Sequence, residues 1–174
     1  MKLYDYDGAP NPRRVRIFAA EKGMPLERVL LDMQAGEHRS PAFLEKNPSG
    51  KIPVLELDDG TCIAESVAIC RYLEGIEPEP NLFGADPLEL ALVEMHHRHI
   101  ELIMWSQIGT SWVNGPIVTE MMGTEPNEQA KVQSDKAARA YYHRLDGELA
   151  ERPFAAGDRF TIADITALVG IDFA

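Results

Sequence analysis

A chain of 174 residues, of which 45% are hydrophobic and 26% charged, can bury a core and is not disordered by composition. Its formal net charge of −11 opposes binding to a nucleic-acid backbone or to an anionic membrane surface. The acidic excess is uneven, with 10 Lys and Arg against 12 Asp and Glu in residues 1–75 and 7 against 16 in residues 76–174, so the first part repels an anionic small molecule less.

The first 75 residues alternate between strand and helix patterns. The predicted elements are a strand at 2–6, a helix at 12–22, a strand at 26–31, a short helix at 40–46, a hairpin at 52–64 and a helix at 66–74. Asn11 followed by Pro12 is typical of an N-cap and a first helical residue. The order β-α-β and then β-β-α predicts a small mixed sheet with helices on its faces.

Residues 76–87 are rich in proline and predict a linker, and the chain after them is helical by pattern. One helix is predicted from the cap Asp86 to about Trp105, and a second from 128 to 150. A third begins at a Thr161–Asp164 capping box and reaches the last residue. We therefore predict an α/β domain at 1–75 and an all-α domain at 88–174. The final helix ends on an apolar stretch without a C-cap, so we expect this domain to be incomplete at its C-terminal end.

The sequence also allows predictions of the cellular location, the state of the cysteines and the absence of a bound metal. The first residues are polar and acidic rather than basic and then apolar, and no apolar run has the length of a membrane span, so we expect a cytoplasmic protein with no membrane partner. Cys62 and Cys70 form no motif and are expected to be reduced thiols. His96, His97 and His99 lack the i, i+4 spacing of a helical metal pair, so we expect no metal.

Three segments together resemble the soluble glutathione transferases: APNPRRVRIFAAEKG, NPSGKIPVLELDDGTCIAES and FAAGDRFTIADIT, in this order and spacing. The likeness extends from the first strand to Ala174 and is closest to a microbial subgroup that lacks the usual catalytic Tyr, Ser or Cys. It implies a thioredoxin-like N-terminal domain followed by an all-α domain. It also implies glutathione as co-substrate, a small hydrophobic electrophile as second substrate, and a homodimer.

The resemblance assigns residues to two parts of glutathione. Pro53 matches the family's cis-proline, which turns Ile52 so that its backbone N–H and C=O pair with the cysteinyl unit; the simpler alternative is a proline that starts a strand. Lys51 and His38 lie where the family places groups near the glycyl carboxylate. Lys51 is otherwise an ordinary surface lysine.

Glu65 and Ser66 match the pair that holds the γ-glutamyl end. The chemistry fits, because Glu65 can accept from the α-ammonium, and Ser66 with the helix N-terminus can receive the α-carboxylate. The alternative for Ser66 is a plain helix cap, and the two roles are compatible.

The residue that activates the thiol is the main departure from the family pattern. Residues 7–12 contain none of the usual Tyr, Ser or Cys. Asn11 with the N-terminus of its helix can stabilise a thiolate, unless its side chain is used to cap that helix. The other substitute is a water held by the helical domain, with Ser106, Thr110 and Ser111 as candidates. Three arginines of the same helix add positive potential or form a solvated face: Arg13, Arg14 and Arg16.

The second substrate is expected to be apolar. The residues expected to form its pocket are Met104, Trp105, Thr110, Ser111 and Trp112, with core packing as the alternative. The leading hypothesis is transfer of the glutathione thiolate to a hydrophobic electrophile. Two others stay open at this point: a glutathione-dependent disulfide or peroxide reductase, and a non-catalytic glutathione-binding module.

Overall fold

The computed structural model describes all residues from Met1 to Ala174. They form two compact units, Met1–Leu82 and Phe83–Ala174. The first unit is α/β and the second is entirely helical, as predicted from the order of the elements.

The first unit is built on a four-stranded mixed sheet. Its elements are β1 (Lys2–Asp5), α1 (Pro10–Glu21), β2 (Glu27–Leu30), α2 (Pro41–Leu44), β3 (Val54–Glu56), β4 (Cys62–Ala64) and α3 (Ser66–Ile76), with a 3₁₀ turn at Glu37–Arg39. The strand order is β2-β1-β3-β4, with β1 parallel to β2 and antiparallel to β3. Because a parallel pair needs a crossover, α1 lies between β1 and β2 in the chain and packs beside α3.

The core of this unit explains why the helices take these positions. Leu3 of β1 stands opposite Leu55 of β3, and both are fully buried. Val15 and Phe18 are buried on α1, three residues apart and therefore on one face of the helix. The same spacing of apolar residues buries one face of α3.

The start of α1 differs from the prediction. The helix begins at Pro10 with Ala9 as its N-cap, and no side chain caps it. Asn11 is thus the second helical residue and not the cap. Pro12 is accepted at the third position because the first N–H groups of a helix have no intrahelical partner, so a proline there loses no bond. Pro10 and Pro12 both suit the first turn of a helix, and the prediction began α1 at Pro12 instead of Pro10.

The second unit contains five α-helices. They are α4 (Pro87–His99), α5 (Ser106–Val113), α6 (Pro116–Met122), α7 (Glu128–Glu151) and α8 (Ile162–Phe173). A π-helical segment, Ile100–Trp105, joins α4 to α5, so the first predicted helix continues beyond Trp105. None of these helices combines the length and apolar composition that crossing a membrane requires.

Side-chain caps fix the starts of α4 and α8 in the second unit. Asp86 accepts from the backbone N–H groups of Leu88 and Glu89 (2.8 and 2.9 Å). Thr161 and Asp164 form the predicted capping box of α8. Since α8 is buried along most of its length, its cap satisfies donors that water does not reach.

Candidate functional site

Buried charge fixes the turn between β1 and α1. Asp5, at the end of β1, is fully buried and accepts hydrogen bonds from Arg16 (2.8 and 2.9 Å) and from Arg28 (2.6 Å). It also accepts from the backbone N–H of Tyr6 (2.6 Å). Arg28 bonds Asp7 as well, and this hydrogen bond holds the pKa of the Asp7 carboxyl below its ordinary value. The turn that leads into α1 is therefore held by ion pairs from α1 itself and from β2.

Asn11 lies directly after this turn. It is exposed, and because Ala9 is the N-cap, the Asn11 amide does not cap the helix. The alternative in which its amide is consumed by capping is therefore wrong. Its side chain stands at the positive end of the α1 dipole.

The second part of the site is the segment that leads into β3. The Ile52–Pro53 peptide bond is cis, as predicted; Pro53 is buried and Ile52 half-buried. Asn47, itself buried, donates from its amide to the backbone C=O of Lys51 (2.7 Å). The polar backbone before Pro53 is thus held in place by one side chain.

Lys51 and His38 are 13 positions apart, and the residue before Lys51, Gly50, packs against the backbone of His38. Gly50 has φ +62°, and a Cβ there would lie 3.1 Å from the backbone oxygen of His38. The chain at residue 50 therefore runs against the turn that carries His38. Lys51 is exposed and His38 half-buried.

The third part is the junction between β4 and α3. Glu65 is the only residue other than glycine with a positive φ (69°), and it is exposed. Such a backbone conformation costs energy and occurs mainly where function requires it. Ser66, the first residue of α3, is buried, and it does not cap the helix, because Glu65 holds the cap position. The interpretation of Ser66 as a plain helix cap is therefore wrong.

Arg14 reaches this junction from α1. Its side chain is buried, and Nη1 donates to Ser66 Oγ (2.8 Å). Arg16 pairs with Asp5 on another side of the same helix. A solvated helix face does not describe either arginine. Positive potential from this helix was expected, but the bond between Arg14 and Ser66 could not be foreseen, since the two residues are 52 positions apart.

The residues predicted for the apolar pocket divide into two groups. Met104 is fully buried and its methyl group lies close to Gly170, so it belongs to the core of the helical unit instead of lining a pocket. Trp105 is partly buried, donates from its indole N–H to the backbone C=O of Thr166 (2.9 Å) and stacks on Phe173. Thr110 donates to the backbone C=O of Ser106 (2.8 Å). That hydroxyl proton is used within its own helix.

Ser111 and Trp112 line a pocket of about 430 Å³ inside the helical unit. It lies between α5, α7 and the end of α8; its other lining residues are Ile108, Lys131, Asp135, Ala138, Arg139, Tyr142, Ile171, Phe173 and Ala174. Trp112 is about half exposed, with its ring 5.7 Å from that of Phe173. The pocket therefore has an aromatic wall.

Charged side chains of α7 line the opposite side of this pocket. Lys131 donates to Asp135 (2.7 Å) and to Ser111 Oγ (3.3 Å), and Ser111 donates to Asp135. Hydrogen bonds from Lys131 and Ser111 hold the pKa of Asp135 below its ordinary value. Sequence reasoning missed these residues, although Lys131, Asp135 and Arg139 follow each other at four-residue steps on one helix face.

The structure places no group of three His, Cys, Asp or Glu side chains where it can hold a metal ion. His96 instead lies against Arg152 (3.3 Å) within the helical unit. Neither Cys62 nor Cys70 is in a disulfide.

Comparison with known proteins gives matches over nearly the whole chain. Residues 9–76 match the family model of the glutathione S-transferase N-terminal domain, and residues 94–173 match that of the C-terminal domain. Glutathione S-transferase 2 of Saccharomyces cerevisiae is 40% identical, over 100% of this chain and 76% of its own length.

Solved structures agree with these matches. A glutathione S-transferase domain-containing protein of Marinobacter aquaeolei superposes with a TM-score of 0.89 at 41% identity, over 100% of this chain and 86% of that one. Human glutathione transferase theta-2, solved in complex with glutathione and an unknown ligand, gives 0.84 at 30% identity, over 98% of this chain and 70% of that one.

Proposed function

Because the chain belongs to the glutathione S-transferase family, we propose that it conjugates the thiolate of glutathione to hydrophobic electrophiles. The observation that carries this proposal is the junction at Glu65–Ser66, where an exposed carboxylate with a left-handed backbone stands directly before the N-terminus of α3. A carboxylate beside a helix N-terminus offers one partner for a cation and another for an anion. The γ-glutamyl end of glutathione carries both charges on one carbon.

With the γ-glutamyl end bound at this junction, the other parts of glutathione are assigned to neighbouring residues of the first unit. Glu65 accepts from the α-ammonium, and Ser66 with the first N–H groups of α3 receives the α-carboxylate. The backbone of Ile52, presented by the cis bond to Pro53, pairs with the cysteinyl unit. The glycyl carboxylate is met by Lys51 and His38.

Thiol activation is assigned to Asn11. A free thiol with a pKa of about 8.5 is only a few per cent ionised at neutral pH. Hydrogen bonds from the Asn11 amide, together with the α1 dipole, favour the thiolate and lower this pKa. We therefore place the protein in the subgroup that works without a catalytic Tyr, Ser or Cys. The thiolate then attacks an electrophilic carbon; a C–S bond forms as the bond to the leaving group breaks, and the thiol proton passes to water.

The electrophile is assigned to the helical unit. The pocket beside Trp112 and Phe173 has the size and the aromatic wall of a site for a small apolar molecule. Ser111 contributes its polar edge. Trp105 and Thr110 remain predicted members of the same site.

Two wider properties belong to the same proposal. We expect a homodimer, and large apolar side chains exposed along α4 supply a surface that a second copy can cover: Leu88, Leu90, Leu92 and Met95. We expect the protein to act in the cytoplasm, where cysteines that form no disulfide, such as Cys62 and Cys70, are usual.

The test is glutathione binding by calorimetry at two pH values, followed by turnover of an aryl halide. We expect binding with release of a proton, and conjugation whose rate follows the thiolate fraction. Asn11→Ala should raise the pKa of the bound thiol and lower kcat/KM by up to roughly a hundred- to a thousandfold, the range for loss of one hydrogen bond to a developing anion.

Gln133→Ala is the matched control, because it removes an exposed amide from α7 that lines no part of the pocket. Unchanged turnover in Asn11→Ala would reject Asn11 as the activating group. Failure of the unmodified protein to bind millimolar glutathione would reject the function itself. Consumption of a disulfide in place of the aryl halide would identify a reductase.

A further inference from the structure

Arg14 is a buried cation directly beside the N-terminus of α3. Its side chain is 3% exposed, yet it is held within hydrogen-bond distance of Ser66, which is 5% exposed. A guanidinium stays protonated in any protein environment, so this charge is permanent. Burying a charge is unfavourable unless its surroundings compensate for it.

The direction of the bond between the two side chains is fixed by chemistry. An arginine has N–H donors and no acceptor, so Ser66 Oγ must accept the 2.8 Å bond from Arg14 Nη1. The Ser66 hydroxyl donates to no group of the chain. Its proton is therefore left to donate to a ligand.

The N-terminus of α3 and the Arg14 charge both favour an anion beside Ser66. The α3 N-terminus carries a partial positive charge and N–H groups that have no intrahelical partner. Arg14 adds a full positive charge behind Ser66, in a region from which water is largely excluded and where charge is weakly screened. Arg14 was one of three arginines expected to add positive potential, but its bond to Ser66 could not be identified from the spacing of residues in the sequence.

We propose that Arg14 is a positioning residue for the γ-glutamyl subsite: it orients Ser66 as a hydrogen-bond donor to the α-carboxylate of glutathione and supplies a buried counter-charge. This rests on the proposed function and adds one residue to it. Arg14 acts through Ser66 and through its field, and so governs affinity for glutathione without taking part in the transfer step. Loss of the charge-assisted bond should weaken glutathione binding roughly tenfold to a hundredfold.

The experiment compares two ligands, glutathione and its analogue with γ-aminobutyrate in place of the γ-glutamyl residue, which lacks only the α-carboxylate. In Arg14→Gln, we expect KM and Kd for glutathione to rise by that factor while kcat at saturation stays within about twofold. Binding of the analogue should not change. In Arg14→Lys, which keeps the charge, part of the affinity should return.

A double-mutant cycle tests whether Arg14 acts through Ser66. If it does, Arg14→Gln should weaken glutathione binding much less when made in Ser66→Ala than when made in the unmodified protein. Arg98→Gln, which removes an exposed cation from α4, is the charge control and should leave both ligands unaffected.

Equal losses for glutathione and the analogue, a fall in kcat at unchanged KM, or additive effects in the cycle would each overturn the proposal. If the Arg14 variants do not fold, Ser66→Ala alone still decides: the proposal fails if this variant discriminates glutathione from the analogue as strongly as the unmodified protein. A protein that binds neither ligand would instead refute the proposed function.

Discussion

Gly170 shows how a single missing side chain determines packing in the helical unit. It lies on α8 where that helix passes Met104 and Trp105, and a Cβ at this position would stand 2.7 Å from Met104 Cε and 2.8 Å from Trp105 Nε1. Real Cβ atoms do not approach other heavy atoms so closely. Glycine is required here for the close approach of α8 to its neighbours, and not for a special backbone conformation.

We predict that Gly170→Ala destabilises the protein by about 1–3 kcal/mol, because the added methyl overpacks a core that cannot expand freely. Gly147→Ala is the matched control: this glycine is also helical, exposed, and has nothing within 4 Å of its Cβ position. There the change should stabilise by roughly 0.5–1 kcal/mol through helix propensity. Urea unfolding of both variants measures the difference, and a neutral Gly170→Ala would show that the core yields.

Individual residues also show how far sequence reasoning reached. The cis bond at Pro53 and the position of Glu65 and Ser66 at the start of α3 could be predicted because these residues belong to a short motif with fixed spacing. The bond from Arg14 to Ser66 could not be predicted, since the two side chains are brought together only by the packing of α1 on α3. Met104 was misassigned for a related reason: an apolar residue on a helix has the same sequence pattern whether it lines a pocket or fills a core.

At the scale of elements, α4 and α7 meet through a titratable side chain. His96 of α4 lies 3.3 Å from Arg152, which follows α7. Burial and the neighbouring Arg152 charge hold the pKa of His96 below its ordinary value. Glu148 opposes this shift, while His99 and Arg144 add to it. The contact is therefore built for a neutral imidazole.

The lowered pKa of His96 predicts that the free energy of unfolding decreases as the pH is lowered. In the unfolded chain His96 binds a proton at the ordinary His pKa of about 6.5. In the folded chain its pKa is lower, so the same protonation occurs only at a lower pH. The contribution of His96 to stability is therefore complete above that value and is lost as the pH drops from it toward the folded pKa. Urea unfolding between pH 7.5 and pH 5 should show the loss.

In His96→Gln this part of the pH dependence should disappear, whereas His143→Gln, at an exposed position of α7, should retain it. An unchanged profile in His96→Gln would show that the imidazole is not the responsible group.

Elements were predicted better than their ends. The strands and most helices could be recognised because their apolar periods of 2 and 3.6 residues are distinct. The start of α1 was misplaced because Pro10 and Pro12 both suit a first turn. The helix that begins after Asp86 was predicted to end at about Trp105, although helical structure continues to Val113. The π-helical segment that begins at residue 100 interrupts the 3.6-residue apolar period on which the prediction relied.

At the scale of the whole molecule, the segment after α3 is held from within the first unit. The Lys22 ammonium, fully buried, pairs with the Glu74 carboxylate (2.7 Å) and donates to the backbone C=O of Glu77 and of Pro80 (2.7 and 2.9 Å). Sequence composition predicted a linker here, because prolines and exposed polar residues dominate it. It could not show that a lysine 55 positions earlier would bind its backbone.

We predict that Lys22→Met releases this segment. The variant leaves a largely buried carboxylate without its cation, a loss of about 3–5 kcal/mol for a buried pair, and frees two carbonyls to water. Hydrogen exchange should quicken, and proteolytic cleavage should appear, within residues 77–82. Lys136→Met, at an exposed position of α7, should change neither. Equal protection of the segment in both variants would contradict the role given to Lys22.

The π-helical segment Ile100–Trp105 has a consequence for chain length. Each π turn accommodates one more residue than an α turn, so α5 is rotated out of phase with α4 by about 100°, the advance of one residue. Deleting a single residue from this stretch would restore the phase and turn Trp112 and Ser111 away from α7, although both would still be present. In this helix the number of residues, and not only their identity, decides which side chains line the pocket between α5, α7 and α8.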